Sequence, residues 1–262
     1  MQREKKSLVF VSNLKPFNMK TSGKSKTGLS IFFTLFLSVI LISVGAKALA
    51  QEKETRDVGS FSSISLSISA DVYLTQGNET KVVIEAEQKI LDLILTEVDG
   101  DNLKIKYPRG KWNIRSNKQI NIFITTPGVE GLFLSGSGNI KAETQIKTES
   151  LDFSISGSGN IEIDDLVASD VEGHISGSGD INLSGSKTAE SLEISISGSG
   201  DMLAETLKVN SVEIRISGSG TCKVFAVSEL EASISGSGSV YYKGNPMVNA
   251  RVSGSGKVRS LD

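Results

Sequence analysis

Apolar and polar residues alternate with a period of two through residues 128–260, and the alternation comes in copies. Each copy centres on Ser-Gly-Ser-Gly, beginning at Ser135, Ser156, Ser176, Ser197, Ser217, Ser235 and Ser253. The intervals are 21, 20, 21, 20, 18 and 18 residues. A fixed period near 20 marks a solenoid. Counted from the first serine, position −1 is Leu134, Ile155, Ile175, Ile196, Ile216, Ile234 and Val252. Positions −3 and −5 are also apolar in nearly every copy, with Gly173 and Glu130 as the clear exceptions. The pattern resumes at +5, with Ile140, Ile161, Ile181, Met202, Cys222, Val240 and Val258. Such alternation predicts two short strands, each with one buried face, on either side of the glycines.

Parity turns the two glycines inward and the two serines outward. Each copy then reads as a corner, where a residue without Cβ lets the chain bend as the interior narrows. Asn139, Asn160, Asp180 and Asp201 follow at +4, where short polar side chains bond the turn backbone. One coil cannot bury its apolar side alone, so stacking must supply the core. The expected fold is all-β, a single-stranded parallel β-helix of about 20 residues per coil. A flexible Gly/Ser linker would not keep apolar residues in register across the copies.

Residues 1–50 differ. They carry eight basic residues and one acidic one, and Lys20, Lys24 and Lys26 precede an apolar run from Leu29 to Val44. Ala48-Leu49-Ala50 follows, which predicts a secretory signal cleaved between Ala50 and Gln51, with Met19 a more natural start than Met1. A run of 16 residues is short for a membrane span, so no stable span is expected after cleavage. Residues 51–127 are expected to form a β-rich segment continuous with the solenoid and capping it, and 128–262 the seven-cornered coils. Within the first of these, Asp99-Gly100-Asp101-Asn102 predicts a hairpin turn between Ile90–Val98 and Leu103–Tyr107. The chain after Gln51 keeps 28 − 8 = 20 basic and 30 − 1 = 29 acidic residues, a net of −9. That balance, without a basic stripe, argues against nucleic acid.

Chemistry-bearing residues are few. Cys222 is the only cysteine and sits at +5, a core position. His174 is the only histidine and points outward at −2, so neither a metal site nor a Ser-His-Asp triad takes shape around it. Stacking the copies aligns Asp152, Glu172, Glu193, Glu213 and Glu231 at −4, and Asp180 with Asp201 at +4. Hard cations favour clustered carboxylates, so these seven are the candidate Ca²⁺ ligands, against the plainer reading of a solvated face that resists aggregation. Arg215 lies near Glu193 and Glu213. Trp112, in a polar loop, is the best exposed aromatic, and of Tyr241 and Tyr242 parity leaves only Tyr241 outward. No cofactor is implied.

The repeated Gly-Ser-Gly-Asn-Ile of 136–140 and 157–161, with its variants at 177–181 and 198–202, resembles the head-GIN domain family. So do Tyr241-Tyr242-Lys243-Gly244-Asn245-Pro246 and the segment from Phe61 to Val72-Tyr73-Leu74-Thr75-Gln76-Gly77. The resemblance spans roughly 58–259. It implies a right-handed β-helix exported to the periplasm or cell surface of a Gram-negative bacterium. The family is described as "putative auto-transporter adhesin" and brings no catalytic residues with it. The expected function is therefore a non-enzymatic adhesin or envelope binding module, with polysaccharide or another surface protein as partner. Two rival readings are a polysaccharide-acting enzyme centred on Arg215 and a structural protein that joins copies through its end coils.

Overall fold

The computed structural model describes residues 51–111, 114 and 116–262; the segment expected as a secretory signal, with Ala50 of its expected cleavage point, and Trp112 lie outside them. The described chain is a β-solenoid of about six turns with roughly 20 residues per turn. Its strands run β1 (Glu52–Arg56), β2 (Ser63–Leu66), β3 (Asp71–Gln76), β4 (Lys81–Ala86), then helix α1 (Gln88–Leu91), β5 (Leu95–Asp99), β6 (Asn102–Lys106) and β7 (Asn121–Thr126). The coils follow as β8 (Gly131–Leu134), β9 (Asn139–Ala142), β10 (Ile146–Lys147), β11 (Ser150–Ile155), β12 (Ile161–Ile163), β13 (Leu166–Val167), β14 (Asp170–Ile175) and β15 (Ile181–Ser184). The last are β16 (Ala189–Ile196), β17 (Met202–Gly218), β18 (Thr221–Gly236), β19 (Ser239–Lys243), β20 (Met247–Gly254) and β21 (Lys257–Ser260).

Two long faces result. The first stacks β6, β2, β8, β11, β14 and β16 in parallel, then the second halves of β17 and β18, and ends on β20. The second stacks β7, β3, β9, β12 and β15, then the first halves of β17 and β18, and β19 and β21. Register is held residue for residue at the corner: Ile155 pairs with Ile175, Ile175 with Ile196, Ile196 with Ile216, and Ile216 with Ile234. All five are buried. A column of identical aliphatic side chains, each worth about 1.5–3 kcal/mol on burial, fixes which strand face turns inward.

The corners show why both glycines are needed. The second serine's N–H donates to the carbonyl of the first glycine one coil earlier, as from Ser178 to Gly157 at 3.1 Å and from Ser199 to Gly177 at 3.0 Å. A Cβ on Gly157 would lie 1.9 Å from the Gly136 carbonyl oxygen, and one on Gly179 would lie 2.0 Å from that of Gly159. The constraint is backbone stacked on backbone along the solenoid axis, a more specific cause than a narrowing interior. The two irregular positions also resolve. Gly173 leaves room for the Phe153 ring one coil earlier, since a Cβ there would lie 2.0 Å from Phe153 Cε2. Glu130 is exposed, accepts a hydrogen bond from Ser62 Oγ, and leaves the buried place to Val129.

Stacking order departs from chain order at the N-terminal end. The coil of β2 and β3 lies between β6–β7 on one side and β8–β9 on the other. Residues 77–127 therefore leave the stack, return and finish its end. There β4 runs antiparallel to β7 and β1 antiparallel to β4. β5 and β6 form the expected hairpin, with Gly100 at φ +61° in its two-residue turn. The stretch expected as strand from Ile90 instead begins with α1, which turns Ile90 and Leu91 into the core before β5 starts.

Candidate binding faces

The outward row of the first face is the acidic one. Asp152 pairs with Glu172, Glu172 with Glu193, Glu193 with Glu213, and Glu213 with Glu231. The row is thus continuous over five coils. It is not left as bare charge: the Arg215 guanidinium bonds both Glu193 and Glu213, and His174 Nε2 lies 3.1 Å from Glu172 Oε1. The bond to Glu193, reinforced by the neighbouring Glu213 charge, holds the Arg215 pKa above its ordinary value. Among the described residues no three His, Cys, Asp or Glu side chains are grouped as a metal ion needs.

The candidates at +4 have a different task. Asp180 Oδ1 accepts the backbone N–H of Asp201 at 2.9 Å, and Asp201 Oδ1 accepts that of Thr221 at 2.7 Å. Asn139 and Asn160 do the same for Asn160 and Asp180 at 3.1 and 3.0 Å. These side chains bond the next coil, where the pattern predicted bonds to their own turn. Each satisfies a donor that the ladder leaves free beside the corner. At +5, Cys222 is fully buried between Met202 and Val240, and burial, then the nearby Asp201 charge, pushes its thiol pKa up. An inert core cysteine is what that environment dictates.

The second face carries the feature that sequence reasoning missed. Parity turns Tyr73 of β3 and Phe123 of β7 outward, and their strands are adjacent. Their rings stack with centroids 5.3 Å apart and planes 17° from parallel. Lys53 Nζ sits 5.2 Å from the Phe123 centroid. One hollow of about 340 Å³ opens beside Tyr73, lined by Asp71, Asn139, Lys141, Asn160, Glu162 and neighbours. A second, about 270 Å³, opens beyond Phe123 between Lys53, Lys81, Val83 and Thr125. Lys141 Nζ bonds Glu162 Oε1 at 2.9 Å, which raises the lysine's pKa. The signal for the aromatic pair was present as two outward rings. Their meeting was hidden because the chain between them leaves the stack after β3 and returns.

A larger hollow of about 760 Å³ lies where Lys106, Tyr107, Arg109 and Lys118 overhang Ser67 and Ser137. At the far end, Tyr241 and Tyr242 are both half-buried, the latter packed on the core. In the last coil Met247, Val248, Val252 and Leu261 are exposed. No described helix is long and apolar enough to cross a membrane.

The fold is shared with solved structures. A "putative adhesin" from Bacteroides fragilis is 27% identical with a TM-score of 0.77, covering 82% of this chain and 99% of that one. A "putative lipid binding protein" from Parabacteroides distasonis is 23% identical with a TM-score of 0.68, covering 82% and 98%. A "putative adhesin" from Parabacteroides merdae is 20% identical with a TM-score of 0.65, covering 82% and 97%. No protein among those with curated descriptions matches the chain. Residues 60–246 match the model of the family described as "Putative auto-transporter adhesin, head GIN domain", and the chain belongs to that family.

Proposed function

We propose that the protein is an exported, non-enzymatic binding module of the cell envelope that holds an extended polysaccharide along one side of its solenoid. The observation that carries this is the register: equivalent outward residues align coil after coil, so each face is a long periodic surface. Periodic lateral faces suit extended, repeating ligands. Family membership and the adhesin description of the Bacteroides fragilis relative point the same way. The enzymatic alternative needed Arg215 to neutralise a substrate carboxylate. Its guanidinium is instead occupied by Glu193 and Glu213.

Location is the first test. Intact cells are treated with a protease, and residues 51–262 are followed by antibody. Loss of signal from intact cells supports adhesion. Protection until the outer membrane is breached overturns it in favour of a role inside the envelope. A second reading, assembly through the last coil, is favoured by its exposed Val248, Val252 and Leu261. Light scattering that reports a monomer at high concentration removes it.

A further inference from the structure

We infer that the hollow beside Tyr73 is a subsite for one uncharged pyranose ring of a bound glycan. The inference rests on the binding-module reading and names where and what the module grips. One face of the Tyr73 ring is taken by Phe123, and the strand on its other side brings Lys141. Tyr73 therefore lines the hollow from the side away from Phe123, with the Lys141 side chain next to it. A flat apolar wall suits the carbon–hydrogen face of a sugar, and the stack behind it keeps the ring from turning away.

The rest of the lining suits hydroxyls. Asn139, Asn160 and Asn182 supply amides, Asp71, Glu162 and Asp180 carboxylates, and Lys141 an ammonium. All but Asn182 are tied to a neighbouring coil before any ligand arrives. Asn139 Nδ2 bonds Asp71 Oδ1 at 2.7 Å, Asn160 Nδ2 bonds Asn139 Oδ1 at 3.2 Å, and Lys141 bonds Glu162 at 2.9 Å. Preorganised polar groups lose little freedom on binding. The volume, about 340 Å³, is at the small end of ligand sites and fits a single ring. Three carboxylates against one ammonium leave the lining at a formal −2. That charge repels uronates and other acidic sugars, which selects a neutral glycan. Coils repeat every ~4.8 Å along the axis, close to the length of one sugar unit, so the chain can run on toward Leu203 and Lys223 in the same row. The first face lacks this combination: its long row is acidic and its lone outward ring, Phe133, has Ser65 and Ser154 beside it.

The test titrates the full chain calorimetrically with neutral hexasaccharides of glucose, mannose, galactose and N-acetylglucosamine, and with hexagalacturonate. At least one neutral probe gives saturable binding, and hexagalacturonate binds at least about tenfold more weakly. Tyr73→Ala weakens the neutral probe about tenfold or more in a variant that still unfolds cooperatively above the assay temperature, although loss of the stack on Phe123 lowers its midpoint. Tyr73→Phe stays within about threefold, and Glu172→Gln on the other face changes nothing. Binding that survives Tyr73→Ala overturns the subsite but leaves the module reading in place. Preference for hexagalacturonate, or no binding of any neutral probe, overturns the ligand class. Surface exposure in the protease experiment is decided separately and is untouched by either failure.

Discussion

The two ends of the solenoid carry apolar residues in the same alternation and meet different fates. At the N-terminal end, β4 and β1 close over β7, and α1 inserts Ile90 and Leu91, so Val82, Ile84, Ile90 and Leu91 are all buried. In the last coil, Val248 and Val252 hold the −5 and −1 places and are 42% and 44% exposed. One coil inward, Leu230 and Ile234 hold the same places at 0% and 2%. A repeat thus specifies which side chain points inward, while its burial comes from the next coil. Closing an end takes sequence that is not repeated, here residues 77–127 with their antiparallel strands.

The largest effect is expected where coils touch through backbone alone. Gly179→Ala puts a methyl 2.0 Å from the Gly159 carbonyl oxygen, which cannot yield without opening the corner ladder. Stability should fall by at least about 4 kcal/mol, or no folded protein should be recovered. Gly59→Ala, near the capped end with nothing within 4 Å, should change it by less than about 0.5 kcal/mol. Urea unfolding measures both. Equal effects would mean that the corners are looser than their register implies.

The ends themselves are compared next. Ile234→Ala removes a fully enclosed side chain and should cost about 2–4 kcal/mol. Val252→Ala removes fewer atoms from a half-open place and should cost less than about 1 kcal/mol. A cost at Val252 near that at Ile234 would show the last coil to be covered in solution, and the contrast between the ends would fail.

The coils were legible in the sequence because everything that makes them is local and repeated. Alternation around Ile155 or Ile196 names the strand, its inward face and its corner within a few residues. What escaped was set by distant chain. Tyr73 and Phe123 meet only because 77–127 return across the end of the stack, and no local pattern announces that return. Likewise the +4 amides and carboxylates bond the coil above and not their own turn. Gly173 looked like a defect when read along the chain. Read across coils, it is the space that Phe153 fills. Gly173→Ala should therefore cost about 1–3 kcal/mol, and Phe153→Leu should recover part of that loss in the double variant. Additive losses, measured by urea unfolding of all four proteins, would show that the ring does not use the gap.

The last effect is confined to alkaline pH and probes how dry the middle of the stack is compared with its open end. Cys222 is buried between Met202 and Val240, and burial raises its thiol pKa well above the ordinary 9.0. In the unfolded chain the thiol ionises near its ordinary value; in the folded chain it stays protonated. Stability from the neutral thiol is therefore complete below pH 9 and is lost as pH rises, at about 1.4 kcal/mol per pH unit until the folded group ionises. Other groups also titrate in that range, so the informative quantity is the difference in pH slope between the protein and Cys222→Ala. The variant loses packing at every pH but should lack this extra slope above pH 9. Identical slopes would mean that water or hydroxide reaches Cys222 in the folded state, and that the interior coils are no better sealed than the last one.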